Sequence, residues 1–134
     1  FAYKALNRET IPIHGDGHQT RTFCYITDAI IGFLKVLIRG KSGHAYNIGN
    51  ENNEISMKNL AKLFVKIEGG GSAFELIPYP KTYPGGEPQR RCPDLTKAKK
   101  DLAYKSTVSL EEGLIRFIKW CRTQEMYVKQ NKAE

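Results

Sequence analysis

The stretch Gly15-Asp16-Gly17-His18-Gln19-Thr20-Arg21-Thr22-Phe23-Cys24-Tyr25-Ile26-Thr27-Asp28 packs a turn, a β-prone run and a helix start into consecutive positions. That order of local preferences constrains the fold more than any other part of the chain. The glycines on either side of Asp16 permit a tight reversal where a side chain would clash. The Thr, Phe and Tyr residues that follow favour extended backbone, so a strand is predicted near 22–25. Thr27 and Asp28 are good N-cap residues. Behind them Ala29, Ile30, Phe33, Leu34, Leu37 and Ile38 predict a largely buried helix over 28–39. A turn, a presented guanidinium at Arg21 and a helix start are also the parts of an anion site, because the planar arginine fork donates two parallel hydrogen bonds to a phosphate. On these residues alone the simpler reading of Arg21, a surface charge after a hairpin turn, is preferred.

The remaining elements follow in order. Phe1 to Leu6 reads as the end of a helix, and 11–14 as a short strand in which Pro12 argues for an edge or a strand start. Residues 45–48 form another short strand, followed by a polar loop. Ser56 caps a helix over 56–67, with Leu60, Leu63, Phe64 and Ile67 at helical spacing. Gly69-Gly70-Gly71-Ser72 stops it; with no P-loop lysine and no strand leading into the glycines, this run is a link rather than a phosphate loop. A strand at 74–77 precedes an irregular segment, Pro78 to Pro93, that holds five of the six prolines. Asp94 caps a short helix over 95–102. Ser109 and Glu112 form a capping box for a helix over 109–122, with Leu114, Phe117, Ile118 and Cys121 toward the core. The expected fold is α/β: short strands with three main helices in one domain, 1–122, and a polar tail, 123–134, that frays.

Composition excludes several classes. The 134 residues are 40% hydrophobic, enough for a core, and no apolar run is long enough to cross a membrane. Cys24, Cys92 and Cys121 make no CxxC pair and leave one odd, which suits a reducing cytoplasm better than a disulfide framework. A net charge of +7 suits an anionic ligand or nucleic acid. The lysines are spread along the chain and no RNA-binding or zinc-finger motif occurs, so a nucleic-acid partner is not expected. His14 and His18 are four apart, a metal-binding spacing only on a helix, and the glycines between them break any helix; no metal site is expected. The chain begins Phe-Ala-Tyr-Lys, without an initiator Met or a secretory leader, and is expected to sit within a longer polypeptide.

The pattern Gly-Asp-Gly-x-Gln-x-Arg-x-Phe-x-Tyr-x-x-Asp over 15–28 resembles a signature of the extended short-chain dehydrogenases that modify sugar nucleotides, the NAD-dependent epimerases, 4,6-dehydratases and decarboxylases. Tyr46-Asn47-Ile48-Gly49-Asn50 and Gln89-Arg90-Arg91-Cys92-Pro93-Asp94, the latter followed by Lys97-Ala98-Lys99, agree in the expected order. The likeness runs from about Phe1 to about Arg122. The last motif, with Val108-Ser109-Leu110-Glu111-Glu112-Gly113-Leu114, is most similar to UDP-glucuronate decarboxylases.

The resemblance implies a substrate-binding lobe of a Rossmann-like parent. It implies that Arg21 and Arg91 clamp a pyrophosphate from two sides while Arg90 lies at the rim. Asn47, on its own residues equally a turn-closing asparagine, becomes a nucleotide-sugar contact. Backbone around Thr10 and Ile11, and Gln19 within the motif, lie near the ligand. The ligand would be a UDP-sugar or dTDP-sugar, and the reaction most similar is UDP-glucuronate decarboxylation through a 4-keto sugar. Alternatives are dTDP-glucose 4,6-dehydratase, UDP-sugar 4-epimerase and, in another class, a non-catalytic basic nucleotide- or nucleic-acid-binding module. The family's chemistry starts with NAD, held at a Gly-rich turn after a first strand, and with a Tyr-x-x-x-Lys pair. None of the seven tyrosines has a lysine four residues on, and no GxxGxxG occurs. Both are expected upstream of Phe1, so no catalytic or cofactor residue is assigned here and the chain alone is expected to be inactive. The parent is expected to be a cytoplasmic homodimer, and the isolated lobe to expose apolar surface.

Overall fold

The computed structural model describes residues 1–82 and 87–128. The centre of the irregular segment, 83–86, and the end of the tail, 129–134, lie outside the described residues. The chain is α/β. In order it forms α1 (Ala2–Leu6), β1 (Ile11–His14), β2 (Thr20–Arg21), α2 (Ile26–Arg39), β3 (Ile55–Ser56), α3 (Met57–Glu68), β4 (Phe74–Ile77), β5 (Arg90–Arg91), α4 (Thr96–Leu102) and α5 (Leu110–Cys121). The contacts divide into two compact units, one from the described parts of Phe1–Gln19, Ser56–Pro88 and Glu111–Glu134, the other from Thr20–Ile55 and Gln89–Leu110.

In the first unit β1 and β4 run parallel, with Ile11 beside Phe74 and Ile13 beside Leu76. Ile11 and Ile13 are fully buried, as are Ala61 and Cys121. α1 and β1 both pack against α3, and Phe1 meets Phe64 edge-on with ring centres 5.8 Å apart. Ser56 caps α3 as expected, its hydroxyl accepting the Asn59 N–H at 3.2 Å. Gly69, at φ +96°, ends that helix in the left-handed region. The Gly-Asp-Gly reversal is present: Gly15 and Gly17 both sit at φ +74°, and Asp16 Oδ1 accepts the His18 N–H at 2.9 Å.

The second unit is built on a three-stranded sheet of order β3-β2-β5 and two helices, α2 and α4. Its core is Leu95, Ala98, Leu102 and Tyr104, with Val36, Tyr46 and Ile48 packed on it. The buried Tyr104 hydroxyl donates to the Gly49 carbonyl at 2.8 Å, and burial pushes its pKa well above the ordinary tyrosine range.

Four sequence expectations need correction. The strand expected at 22–25 is the two residues Thr20–Arg21 instead, because β5 supplies a pairing partner only there. That partner, Arg90–Arg91, lies in the segment read as irregular. The strand expected at 45–48 does not form: the carbonyls of Ala45 and Gly49, which a neighbouring strand would otherwise use, accept from Lys97 Nζ at 2.8 Å and from the Tyr104 hydroxyl. α2 begins at Ile26 with Tyr25 as N-cap and no side-chain cap bond, rather than at Thr27 or Asp28.

The fourth correction concerns what α2 buries. The helix is amphipathic, with Asp28, Gly32, Lys35 and Arg39 on one stripe, and its broad hydrophobic face was expected inside. Only Asp28 and Gly32 are buried. Phe33, Leu37 and Ile38 are 62%, 81% and 75% exposed, so the inward face is the narrow stripe of small and polar residues. The expected exposed apolar surface is therefore on this helix. Gly32 is there for contact: a Cβ at that position would stand 2.4 Å from Ile48 Cγ2 and 2.9 Å from Tyr104 Cε2. Ile48 is β-branched and Tyr104 is held by its hydroxyl, so neither can swing away. Gly32→Ala should destabilise the chain by about 1–3 kcal/mol through overpacking, read as a lower urea midpoint at unchanged slope.

Candidate functional site

β2 and β5 run parallel with Thr20 beside Arg90 and Arg21 beside Arg91. Partners in a ladder share a face of the sheet, so Arg21 and Arg91, far apart in sequence, stand next to each other. Both line one hollow of about 600 Å³ in the second unit, together with Arg90. Two turns of backbone complete it: Ile48 to Asn50 on one side, and Cys92 with Pro93 on the other. Gly49 allows the close approach, since a Cβ on it would sit 3.1 Å from Pro93 Cγ.

The three guanidiniums are held differently. Arg90 grips Glu54 in a fork, Nε to Oε1 at 3.0 Å and Nη2 to Oε2 at 2.9 Å. Glu54 also accepts from the Thr20 hydroxyl. The Arg90 fork, then the Thr20 hydroxyl, hold the Glu54 carboxyl below the usual glutamate range, and Glu54 in turn raises Arg90. Arg21 donates from Nη1 to its neighbour's carbonyl, Thr20 O, at 2.7 Å. Arg91 is exposed and forms no ion pair among the described residues. Glu54 thus counters Arg90, and the three adjacent guanidiniums gather N–H donors at one hollow. Such a place attracts an anion and can bond several of its oxygens at once.

The residues singled out from sequence do not all gather here. Arg21 and Arg91 do. Asn47 is exposed and outside the hollow's lining; its amide donates to the Asp94 carbonyl at 3.1 Å and ties two loops together. Thr10, Ile11 and Gln19 belong to the first unit. Thr10 is exposed there, and the Ile11 N–H donates to the Ala73 carbonyl at 2.9 Å. The buried Gln19 amide donates to the His14 carbonyl at 2.9 Å and to the Tyr79 hydroxyl at 3.1 Å. Sequence reasoning left aside Glu54, which braces the rim, and Asn50, which is buried at the hollow. Asn50 stood in the same motif as Asn47, and nothing in the residue types favoured one amide over the other.

Gly69-Gly70-Gly71 does not form a dinucleotide-binding turn. The run Gly69-Gly70-Gly71 closes α3 and leads into β4, whereas a dinucleotide turn leads from a strand into a helix. Among the described residues no group of three metal-ligating side chains converges, and no helix is long and apolar enough to cross a membrane.

Comparison with known proteins gives the following. The model of the family described as GDP-mannose 4,6 dehydratase matches residues 2–117. A UDP-N-acetyl-alpha-D-glucosaminuronate decarboxylase of Bacillus cytotoxicus is 34% identical over 127 residues, covering 93% of this chain and 39% of its own length. UDP-glucuronic acid decarboxylase 2 of Arabidopsis thaliana is 34% identical over 119 residues, 89% of this chain and 25% of its own. Among solved structures, the UDP-glucuronic acid 4-epimerase of Bacillus cereus, in complex with UDP-glucuronic acid and NAD, superposes with a TM-score of 0.75 at 34% identity, over 89% of this chain and 38% of that one. The chain thus spans about a quarter to two-fifths of the length of the proteins it matches.

Proposed function

The chain belongs to the GDP-mannose 4,6-dehydratase family, within the extended short-chain dehydrogenases, and from that membership we propose that it holds the nucleoside-diphosphate part of a sugar nucleotide while NAD-dependent chemistry at the sugar is done by other parts of a parent enzyme. One observation carries the reading: Arg21 and Arg91 are ladder partners at a single hollow. A diphosphate offers several acceptor oxygens with fixed spacing, and neighbouring guanidinium forks can take them from adjacent directions. Holding the diphosphate fixes where the sugar lies, and orientation of that kind is a large part of an enzyme's advantage once the reacting groups are present.

The substrate we favour is UDP-glucuronate and the reaction its decarboxylation. Support comes from the motif around Arg91 and from the decarboxylase names of the relatives. A 4,6-dehydratase acting on dTDP-glucose and a UDP-sugar 4-epimerase are the alternatives within the family. The chain carries no Tyr-x-x-x-Lys pair, so no redox step is assigned to its residues.

A basic module for nucleic acid is the competing class, and titration separates the two. UDP, dTDP, UDP-glucuronate and a single-stranded oligonucleotide are titrated into the 134-residue chain at two salt concentrations. The sugar-nucleotide reading expects UDP-glucuronate to bind more tightly than the oligonucleotide and to keep most of its affinity in higher salt. A polyanion contact expects the reverse, with affinity falling steeply as salt rises. In the same samples, added NAD should give no turnover of UDP-glucuronate; measurable product would refute the division of labour proposed here.

A further inference from the structure

Asn50 is only 3% exposed, yet it lines the arginine hollow. Its Oδ1 accepts the Asn52 N–H at 2.8 Å. That bond settles the orientation of the amide: the oxygen is turned to the backbone, and Nδ2 is the end left over. Nδ2 donates to no group among the described residues and is not sealed from solvent. A donor that only solvent satisfies at the wall of a hollow is open to an acceptor on a ligand. The guanidiniums of Arg21, Arg90 and Arg91 on the same hollow are donors too. A cavity in which these donors gather suits a ligand group that only accepts.

We propose that Asn50 is a phosphate-binding residue of this hollow, donating from Nδ2 to one oxygen of the bound nucleoside diphosphate. The proposal rests on the nucleotide reading above. It adds a function that the arginines do not supply. Their heads sit on long side chains and attract negative charge from many directions, whereas the Asn50 amide is buried and anchored through its own oxygen. It therefore fixes the position of one phosphate oxygen rather than merely favouring an anion.

Two aspartate variants of the 134-residue chain test this by calorimetric titration with UDP. Asn50→Asp keeps an acceptor for the Asn52 N–H and so preserves the turn, but removes the donor. Thr22→Asp puts the same charge on another wall of the hollow. Asn50→Asp should weaken UDP by roughly tenfold or more beyond the loss in Thr22→Asp, as expected for a hydrogen bond to a charged group. Equal losses in the two variants would overturn the proposal. An independent measurement covers the case in which a variant fails to fold: in the wild-type chain the Asn50 side-chain N–H2 signal should move on adding UDP and stay in place on adding uridine. A signal unmoved at saturating UDP would also overturn it. If the wild-type chain binds no UDP, the nucleotide reading falls and this proposal with it; if it binds UDP while Asn50 is indifferent, only this proposal falls.

Discussion

Replacing Arg21 and Arg91 together with alanine should lower affinity for UDP by about 100-fold or more, while either replacement alone costs about tenfold. The magnitude follows from what is removed. A charge-assisted bond from a guanidinium to a phosphate contributes about 1.5–3 kcal/mol, and each head can make two in parallel. The pair stands side by side in one ladder, so coupling between the two sets the double loss at or above the product of the single ones. Lysine separates charge from shape. Arg91→Lys keeps the cation but loses the fork, and should fall between wild type and alanine. Arg91 is exposed and the β2–β5 pairing is made by backbone, so none of these variants should change the far-UV spectrum. Affinity for UDP within about threefold of wild type in the double variant would remove the basis for placing a diphosphate in this hollow.

The comparison between sequence and structure divides along the range of the interactions involved. α3 and α5 were legible because their apolar residues recur at helical spacing and their starts carry Ser and Glu, all local signals. β1 and β4 were legible as short β-prone runs between turns. β2 and β5 were not legible as strands. Each is two residues long and exists because the other lies beside it, a contact between segments some seventy residues apart. The two arginines could be named from sequence, but their adjacency depends on that register.

α2 shows a different limit. Periodicity identifies a buried face only when one face is apolar and the other is not. α2 meets that condition, with Ile30, Phe33, Leu34, Leu37 and Ile38 on one broad face, yet the stripe turned inward in this chain is the opposite one. The deciding residues were Gly32, which lets Ile48 and Tyr104 approach, and Asp28. At the site, Asn47 and Asn50 differ by three positions and not at all in chemistry. Only the bonds around them separate an amide that ties loops together from one that faces the hollow.

Asp28 carries the second large effect. Read from sequence as a helix cap, it is instead a buried carboxylate, 2% exposed, that holds the segment leading into α5. Its Oδ2 accepts the N–H groups of Thr107 and Val108, and its Oδ1 the Thr107 hydroxyl, each at 2.9 Å. Its place in the first turn of α2 adds a favourable interaction with the positive end of the helix dipole. Asp28→Ala removes the acceptor from all three donors at once. Hydrogen bonds to a charged group contribute about 1.5–3 kcal/mol each when taken singly. Bonds that share one carboxylate do not add, and water can reach the exposed Thr107, so a loss of about 3 kcal/mol is expected. That corresponds to a fall of about 10 °C in Tm for a domain of this size. Asp28→Asn keeps the volume and an oxygen for the two backbone N–H groups, and turns its N–H2 to the Thr107 hydroxyl, which can accept, so it should lose about half as much. Amide hydrogen exchange provides the local reading: the Thr107 and Val108 amides should lose protection in Asp28→Ala before the amides of α3 do. A loss below about 1 kcal/mol, with both amides still protected, would show that the loop before α5 holds its place without this carboxylate.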